Sequence, residues 1–298
     1  MTSAFVFAAD KGYELPLAVA MSSLVETTPQ VSVLVLDGGL QADAKRSIEA
    51  HLRGRAEVSW IEVNNELLAG TRLSGSARLP VTANYRLLLP ELAPDLTRAV
   101  YLDADTVIVS SMAGLLDTEL GEDWLAAVPD SGAPLAAGPS GPDWRGLGIP
   151  AGATYFNSGV VVMPLPLWRE RGLGAQTLAV LRERKPRWGD QDALNIVCQG
   201  HIRQLPRRYN VQLNDATGRS LNWALWSDDV SAALNDPALV HYNGHIKPWQ
   251  HGCQHPLQHL WWEAMERTPW KGWQIPRQNR FARLVRKGVA GLRKELQR

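Results

Sequence analysis

The chain has 298 residues, of which 45% are hydrophobic and 20% are charged, and its formal net charge is +1. This composition is typical of a soluble globular protein, and the near-neutral charge gives no reason to expect nucleic acid as a partner. The two cysteines, Cys198 and Cys253, are too few for a disulfide framework and lack the spacing of metal ligands, which fits a reducing compartment.

The start of the chain and its apolar runs indicate where the protein acts. Residues 1–10 contain no basic n-region, and their apolar run is shorter than a signal peptide requires. No later run approaches the ~20 consecutive apolar residues that span a bilayer. We therefore expect a cytoplasmic protein that can contact a membrane only at its surface.

Short apolar runs alternate with helix-like segments through the first half of the chain, a pattern typical of βαβ units around a largely parallel sheet. The expected elements are strands at 3–10, 31–37 and 56–63 and helices at 14–27 and 41–53. In this architecture ligands bind beyond the carboxyl ends of the strands. Asp10, at the end of the first expected strand, is therefore a candidate binding residue.

A later apolar run, AVYLDADTVIV at residues 99–109, predicts a buried strand that carries Asp103 and Asp105 on the same side. Each carboxylate raises the free energy of ionising the other, so a buried pair needs a protonated partner, a basic partner or a metal ion. His241, in LVHYNGHIKPW, is a candidate third ligand. Two carboxylates and an imidazole suit Mn²⁺ better than Mg²⁺ or Ca²⁺, which prefer oxygen ligands. Such a site leaves coordination positions for the oxygens of a diphosphate.

The second half of the chain contains a long Gly- and Pro-rich segment at 131–153, which predicts a binding loop or lid. Beyond it we expect a strand at 154–163, a helix at about 167–185 and a helix start at Asp190. Asp190 and Asp192 form a second D-x-D, which an N-cap and a first-turn acid would also explain.

Ten of the twelve tryptophans lie after residue 140, which suggests that this half contacts carbohydrate, although most of the rings are expected in the core. The candidates for ligand contact are Trp223, Trp226 and Trp249.

The tail, residues 276–298, predicts a basic amphipathic helix. Projected at 100° per residue, its apolar side chains fall on one side and its basic side chains on the other. From Arg277 onward eight basic residues accompany the single acid Glu295, which suits the surface of an anionic membrane. The alternative is a helix that docks on the protein with a solvated basic face.

Five segments stand in the order and spacing of one family: FVFAADKGY, YLDADTVI, YFNSGVVVM, GDQDALN and HYNGHIKPW. They resemble glycosyltransferase family 8, and in particular its bacterial lipopolysaccharide galactosyltransferases and glucosyltransferases. The resemblance implies an α/β protein of the GT-A fold, a single Rossmann-like nucleotide-sugar-binding domain with a mixed central sheet. It also implies Mn²⁺, with Mg²⁺ as the alternative, and a UDP-galactose or UDP-glucose donor. The acceptor would be an oligosaccharide or glycolipid.

The resemblance also implies how the chain is divided. A catalytic domain would cover residues 1–275, with the nucleotide-sugar-binding part at about 1–130 and the acceptor-binding part at about 131–275, followed by the tail.

The same resemblance assigns roles to individual residues. The metal ligands would be Asp103, Asp105 and His241, and the residues around the transferred sugar would be Asn157, Asp190 and Gln191. The nucleotide contacts would come from Ala8, Asp10, Tyr13, Arg86, Asp103, Ala104, Asp105, Gly244 and Lys247. The family retains the anomeric configuration. Because the carboxamide of Gln191 is a poor nucleophile, we expect same-face transfer, in which a phosphate oxygen of UDP takes the acceptor proton.

Two other classes of protein compete with this interpretation. LDADTVI also fits the opening motif of haloacid-dehalogenase-like phosphohydrolases, with Asp103 as nucleophile, Asp105 as general acid and Asp228 with Asp229 as the metal-binding pair. That motif normally follows the first strand of its domain, whereas three or four expected strands precede it here. A sugar-binding protein without turnover is the other alternative, and the intact D-x-D, His241 and Lys247 argue against it.

Overall fold

A computed structural model of the chain describes residues 3–71, 80–132, 144–150, 153–212 and 228–276. Within these residues a seven-stranded sheet has the order β3-β2-β1-β4-β7-β6-β8. Its strands are β1 (Ser3–Ala9), β2 (Val31–Asp37), β3 (Ala56–Glu62), β4 (Arg98–Leu102), β6 (Leu125–Pro129), β7 (Phe156–Pro164) and β8 (Ile202–Gln204). Strand β7 runs antiparallel to both β4 and β6, and the other pairs are parallel. The expected α/β architecture with a mixed central sheet is confirmed.

Helices connect the strands and cover the sheet. They are α1 (Glu14–Thr27), α2 (Ala42–Leu52), α3 (Leu89–Leu92), α4 (Ala113–Leu116), α5 (Trp144–Leu147), α6 (Leu165–Arg171), α7 (Leu173–Arg184), α8 (Asp190–Val197), α9 (Asp228–Asn235) and α10 (Gln258–Met265). Short 3-10 helices add Lys11–Tyr13, Asn65–Leu68, Val81–Leu88 and Arg207–Tyr209. The bounds of α1 and β2 are those expected from the apolar pattern.

A second, three-stranded sheet in the described part of the chain has the order β5-β10-β9. Its strands are β5 (Thr106–Ile108), β9 (Val211–Gln212) and β10 (Leu239–His241). The expectation of one strand over 99–109 is therefore wrong, because β4 ends at Leu102 and β5 begins at Thr106 in the other sheet. The intervening turn carries Asp103 and Asp105. A turn can direct both carboxylates toward partners that a continuous buried strand would not offer.

The expected helix at 167–185 is also wrong as a single element. It is divided into α6 and α7 by Gly172, which has a φ of +61° in the left-handed region that favours glycine. The described part of the Gly- and Pro-rich segment contains α5, and the rest of that segment lies outside the described residues.

Apolar side chains fill both faces of the main sheet. In β1, Phe5 and Phe7 join the cluster beneath α1, whereas Val6 and Ala8 join the cluster on the opposite face. This is the period of two of a strand buried on both sides. A third cluster covers the small sheet and includes Val107, Val240, Tyr242 and Trp261.

The tail is not among the described residues, so its amphipathic helix stays a prediction. In the part of the chain that the structure describes, no helix combines the length and the apolar character needed to cross a bilayer.

We predict that Trp261→Ala lowers the free energy of unfolding by about 3–5 kcal/mol, because the indole is fully buried against the strand that ends at His241. Trp273→Ala is the matched control, since Trp273 is a partly buried ring at the edge of the same cluster. Urea unfolding should give a clearly smaller loss for the control, and equal losses would contradict the packing described here.

Candidate active site

Two carboxylates and one imidazole come together where the two sheets meet. Asp103, Asp105 and His241 each offer one ligand atom, and these three atoms lie within 4.8 Å of one another. His241 Nε2 is 3.3 Å from Asp105 Oδ1 and 3.6 Å from Asp103 Oδ2. The turn after β4 supplies the carboxylates and the end of β10 supplies the imidazole, and Tyr242 N donates to Asp105 O across the junction.

The buried side chain of His241 is held by Asn210, a residue that belongs to none of the five motifs. His241 Nδ1 lies 3.0 Å from Asn210 Oδ1, and Asn210 Nδ2 donates to Asn157 Oδ1 at 2.9 Å. Because a carbonyl oxygen only accepts, Nδ1 is the donor of this pair, and in the neutral ring Nε2 then presents a lone pair to the carboxylates.

This donor set fits a divalent cation. Two carboxylate oxygens and the Nε2 of a neutral imidazole are all electron-rich, so in that form their close approach favours a positive ion between them. A mixed oxygen and nitrogen set is compatible with Mn²⁺ and related transition metals. Asp103, Asp105 and His241 would be the ligands from the protein.

Each carboxylate also has a cationic partner on its other oxygen. Arg86 donates to Asp103 Oδ1 at 2.8 Å, and Lys247 Nζ donates to Asp105 Oδ2 at 2.6 Å and to Tyr242 O at 2.7 Å. Burial alone raises the pKa of Asp105, but its neighbours, chiefly the charge of Lys247, hold that pKa below its ordinary value. Asp105 is therefore stabilised in the ionised form that a metal ligand requires.

Arg86 lies beneath the site and joins the D-x-D turn to α8. Its guanidinium is buried, stacks 3.9 Å from the centre of the Tyr101 ring and donates to Ser158 O. Its Nε is 3.2 Å from Asp190 Oδ2, an ion pair without the geometry of a hydrogen bond. Burial raises the pKa of Asp190 to about 6, although Arg86 opposes that shift. The predicted contact of Arg86 with the nucleotide stays a prediction.

The predicted sugar residues Asn157 and Gln191 form an amide cluster with Asp130. Asn157 Nδ2 donates to Gln191 Oε1 and to Asp130 Oδ2, each at 3.0 Å, and Gln191 Nε2 donates to Asp130 Oδ2 at 3.0 Å. Ser158 N donates to Gln191 Oε1 at 3.1 Å. Asp130 was missed because it precedes the Gly- and Pro-rich segment with no motif around it.

The two acids of the second D-x-D have different surroundings. Asp192 accepts hydrogen bonds from the Tyr155 hydroxyl and, at 2.8 Å, from Trp188 N. It therefore anchors the start of α8 as a first-turn acid, whereas the expected Asp N-cap is wrong, because Gly189 occupies that position. Asp190 instead faces Arg86.

The predicted nucleotide residues follow β1 and β10. Asp10 caps the 3-10 helix Lys11–Tyr13 by accepting from Gly12 N at 2.8 Å, and buried Ala8 packs in the core. Burial raises the pKa of Tyr13, and the negative charges of Asp105 and Asp103 add to that shift. Ala104 is buried between the two acids, and Gly244 is partly exposed in the segment before Lys247.

Of the three predicted aromatic contacts, the structure describes Trp249 alone. Its ring packs edge-on to Tyr13 at 5.9 Å and tilted against Trp261 at 5.2 Å, so it links the segment after His241 to the end of β1. Contact with a ligand stays a prediction. Trp223 and Trp226 lie outside the described residues.

A family model, described as glycosyl transferase family 8, matches residues 4–253, which is most of the chain. The chain belongs to glycosyl transferase family 8.

The relatives agree with this membership. The chain is similar to general stress protein A of Bacillus subtilis, 26% identical over 89% of this chain and 93% of that protein. It is also similar to the lipopolysaccharide 1,3-galactosyltransferase of Salmonella typhimurium, 27% identical over 64% of this chain and 58% of that protein.

Among solved structures, the chain resembles the galactosyltransferase LgtC in complex with donor and acceptor sugar analogues. The TM-score is 0.77 and the sequence identity 26%, over 90% of this chain and 96% of that chain. The expected GT-A fold is confirmed.

Membership of this family leaves the phosphohydrolase alternative without support. The D-x-D turn follows β4 rather than the first strand. Asp229 pairs with Arg207, at 3.3 Å, and is not part of the carboxylate–imidazole group among the described residues.

We predict that Gly159→Ala displaces the His241 ring. A Cβ at this position would lie 2.6 Å from His241 Nδ1, so the methyl group and the imidazole cannot both occupy their places. The expected cost is about 1–3 kcal/mol of unfolding free energy, together with a moved His241 in a crystal structure of the variant.

Gly114→Ala is the control, because its added Cβ would meet only the Tyr209 hydroxyl, at 3.3 Å. A Gly159→Ala structure with His241 unmoved would show that the ring is not confined by this glycine.

Proposed function

We propose that the protein is a retaining, metal-dependent hexosyltransferase that moves galactose or glucose from a UDP-sugar to a saccharide acceptor, such as a growing lipopolysaccharide. The observation that carries the proposal is the group of Asp103, Asp105 and His241, whose ligand atoms face one another at the junction of the two sheets. Family membership and the lipopolysaccharide sugar transferases among the relatives support it.

The donor side of the site is organised around positive charge. Bound Mn²⁺, or Mg²⁺, would neutralise the charge that develops on the departing diphosphate. Lys247 places an ammonium group 2.6 Å from Asp105 Oδ2, so a second positive charge adjoins the same position. Fixed charges aimed at the leaving group stabilise the transition state more than the ground state. We propose that Gly244 and Lys247 contact the phosphates and that Ala8, Asp10, Tyr13, Arg86 and Ala104 contribute to the nucleotide pocket.

The sugar side supports transfer without a covalent glycosyl-enzyme. Gln191 Oε1 already accepts hydrogen bonds from Asn157 Nδ2 and Ser158 N, so its lone pairs are engaged as well as weakly nucleophilic. We propose that Gln191 and Asn157 line the hexose, that Asp190 orients it, and that a phosphate oxygen of UDP takes the proton of the acceptor hydroxyl.

The place of action and the acceptor are further parts of the proposal. We propose that the protein works in the cytoplasm and associates with the inner face of the membrane through its tail, residues 276–298. Residues 131–275 would bind the acceptor, and about 1–130 would bind the nucleotide-sugar.

We predict that the protein hydrolyses a UDP-hexose slowly in the presence of Mn²⁺ and that a chelator abolishes the reaction. Asp105→Asn should lower the rate by about 10²-fold or more, because it removes a ligand charge facing the leaving group. The rate of hydrolysis is measured as the release of UDP from UDP-galactose, UDP-glucose and UDP-N-acetylglucosamine. Asp236→Asn is the control, since Asp236 is an exposed acid paired only with Arg208 among the contacts described for its side chain.

Three results would contradict the proposal. They are hydrolysis that survives chelation, equal rates for the two variants, and no UDP release with any donor and acceptor. A phosphorylated Asp103 formed from a phosphate ester would instead support a phosphohydrolase.

We also predict that intact-mass spectrometry finds no hexosyl adduct on the wild-type protein or on Gln191→Glu during turnover. The Glu side chain would stand beside Asp130 in place of an amide that donates to it, so activity should fall through like-charge repulsion. A trapped adduct on either protein would favour double displacement.

A further inference from the structure

Asn210 is fully buried between the two sheets, where it donates one side-chain hydrogen bond and accepts another. It follows the 3-10 helix Arg207–Tyr209 and precedes β9, and its two amide atoms contact His241 and Asn157. We propose that Asn210 is a positioning residue that fixes His241 in the tautomer protonated at Nδ1, with the Nε2 lone pair directed at Asp103 and Asp105. This inference rests on the proposed function, in which His241 is a metal ligand.

A backbone amide sets the direction of each hydrogen bond in the side-chain network that leads to His241. Gly159 N donates to Asn157 Oδ1 at 2.9 Å, and a backbone N–H has no alternative role. Asn157 therefore presents oxygen, and the atom of Asn210 that approaches it at 2.9 Å must be the donor Nδ2. Asn210 consequently presents Oδ1 to His241, so Nδ1 must be the donor.

The opposite end of Asn157 agrees with this assignment. Ser158 N donates to Gln191 Oε1, which fixes the Gln191 amide by the same argument. Gln191 Oε1 then accepts from Asn157 Nδ2, as it must if Asn157 Oδ1 faces Gly159 and Asn210. Two independent backbone amides thus lead to the same orientation of the network.

The backbone lies close to the His241 ring on the side of Gly159. Strand β9 pairs with β10 in parallel, with Gln212 opposite His241 in the ladder. This register fixes the position of Asn210 along the strand pair. On another side the ring approaches Gly159 so closely that even a Cβ would collide with it. A flipped ring would lose the hydrogen bond to Asn210 while remaining confined by Gly159.

The tautomer of His241 affects the affinity for the metal as well as the stability of the fold. If Nε2 carried the proton, an N–H group would face the carboxylates, and His241 would have no lone pair to offer there. Residues that orient a metal-bound histidine typically change metal affinity by about 10–100-fold when they are replaced. Asn210 would act through His241 and need not contact the donor.

The first experiment reads the tautomer directly. Long-range ¹H–¹⁵N NMR spectra of metal-free protein labelled at its seven histidines are recorded at a pH where the rings are neutral, and the His241 signals are assigned by their loss in His241→Gln. We expect the Nδ1–H tautomer for His241. An Nε2–H tautomer in the wild-type protein would overturn the inference, and this result needs no variant of Asn210.

The second experiment uses three variants. Asn210→Leu removes both hydrogen bonds and should give mixed tautomers at His241, together with Mn²⁺ affinity about 10–100-fold weaker, measured by EPR of free Mn²⁺ with UDP present. Asn210→Asp keeps an acceptor for the Nδ1–H and should retain the tautomer, while it loses the hydrogen bond to Asn157 Oδ1. Gln212→Leu is the matched control, because this fully buried amide lies two residues further along, on β9, and bonds to Ser131 and Pro129.

The outcomes separate the two proposals. If wild-type His241 is the Nδ1–H tautomer but no Mn²⁺ binds, the metal-dependent function fails and the role of Asn210 in setting the ring stands. If Mn²⁺ binds and Gln212→Leu weakens binding as much as Asn210→Leu does, the effect is general loosening of the strand and the inference is overturned. A His241 tautomer unchanged in Asn210→Leu overturns it as well.

Discussion

The close approach of two carboxylates and one imidazole lone pair is the constraint around which the described structure is arranged. Three electron-rich atoms facing one another are unfavourable unless positive charge is near. The protein provides part of that charge itself. Asp103 uses one oxygen for Arg86 and Asp105 uses one oxygen for Lys247, while the remaining oxygens face His241 Nε2. The geometry gives each acid a cationic partner and leaves one ligand atom of each directed at a common point.

This arrangement depends on the break between the two sheets. Strand β4 belongs to the main sheet and β5 to the small one, so the D-x-D turn lies where the chain passes from one to the other. The small sheet brings His241 to the same place on β10, and Trp261 packs behind it. A buried amide, Asn210, then links the small sheet to Asn157 at the start of β7. The proposed metal ligands and sugar residues are thus parts of one hydrogen-bonded network, although they come from distant parts of the sequence.

The two cations of the site, Arg86 and Lys247, differ in how firmly they are held. Arg86 is buried beneath the carboxylates and joins Asp103 to Asp190, so it is fixed by several contacts. Lys247 is held by one carboxylate oxygen and one backbone oxygen in a partly exposed segment. A rigid buried charge suits the organisation of the site, whereas a lysine on a surface segment can approach a phosphate as the donor binds. In our proposal the two cations therefore have different tasks.

The sequence by itself determined the alternation of strands and helices in the first half, the bounds of α1 and β2, and the family, because these depend on local apolar periodicity and on short motifs. It also identified Asp103, Asp105 and His241 as a group, since two closely spaced acids in an apolar run require a compensating charge and an imidazole completes a metal-binding set. Only the tertiary structure decided that the D-x-D lies in a turn between sheets, that Gly172 divides the helix, and that Asp130 and Asn210 join the site. Lone polar residues such as these carry no signal in the sequence, because their importance comes from hydrogen bonds to residues more than 25 positions away.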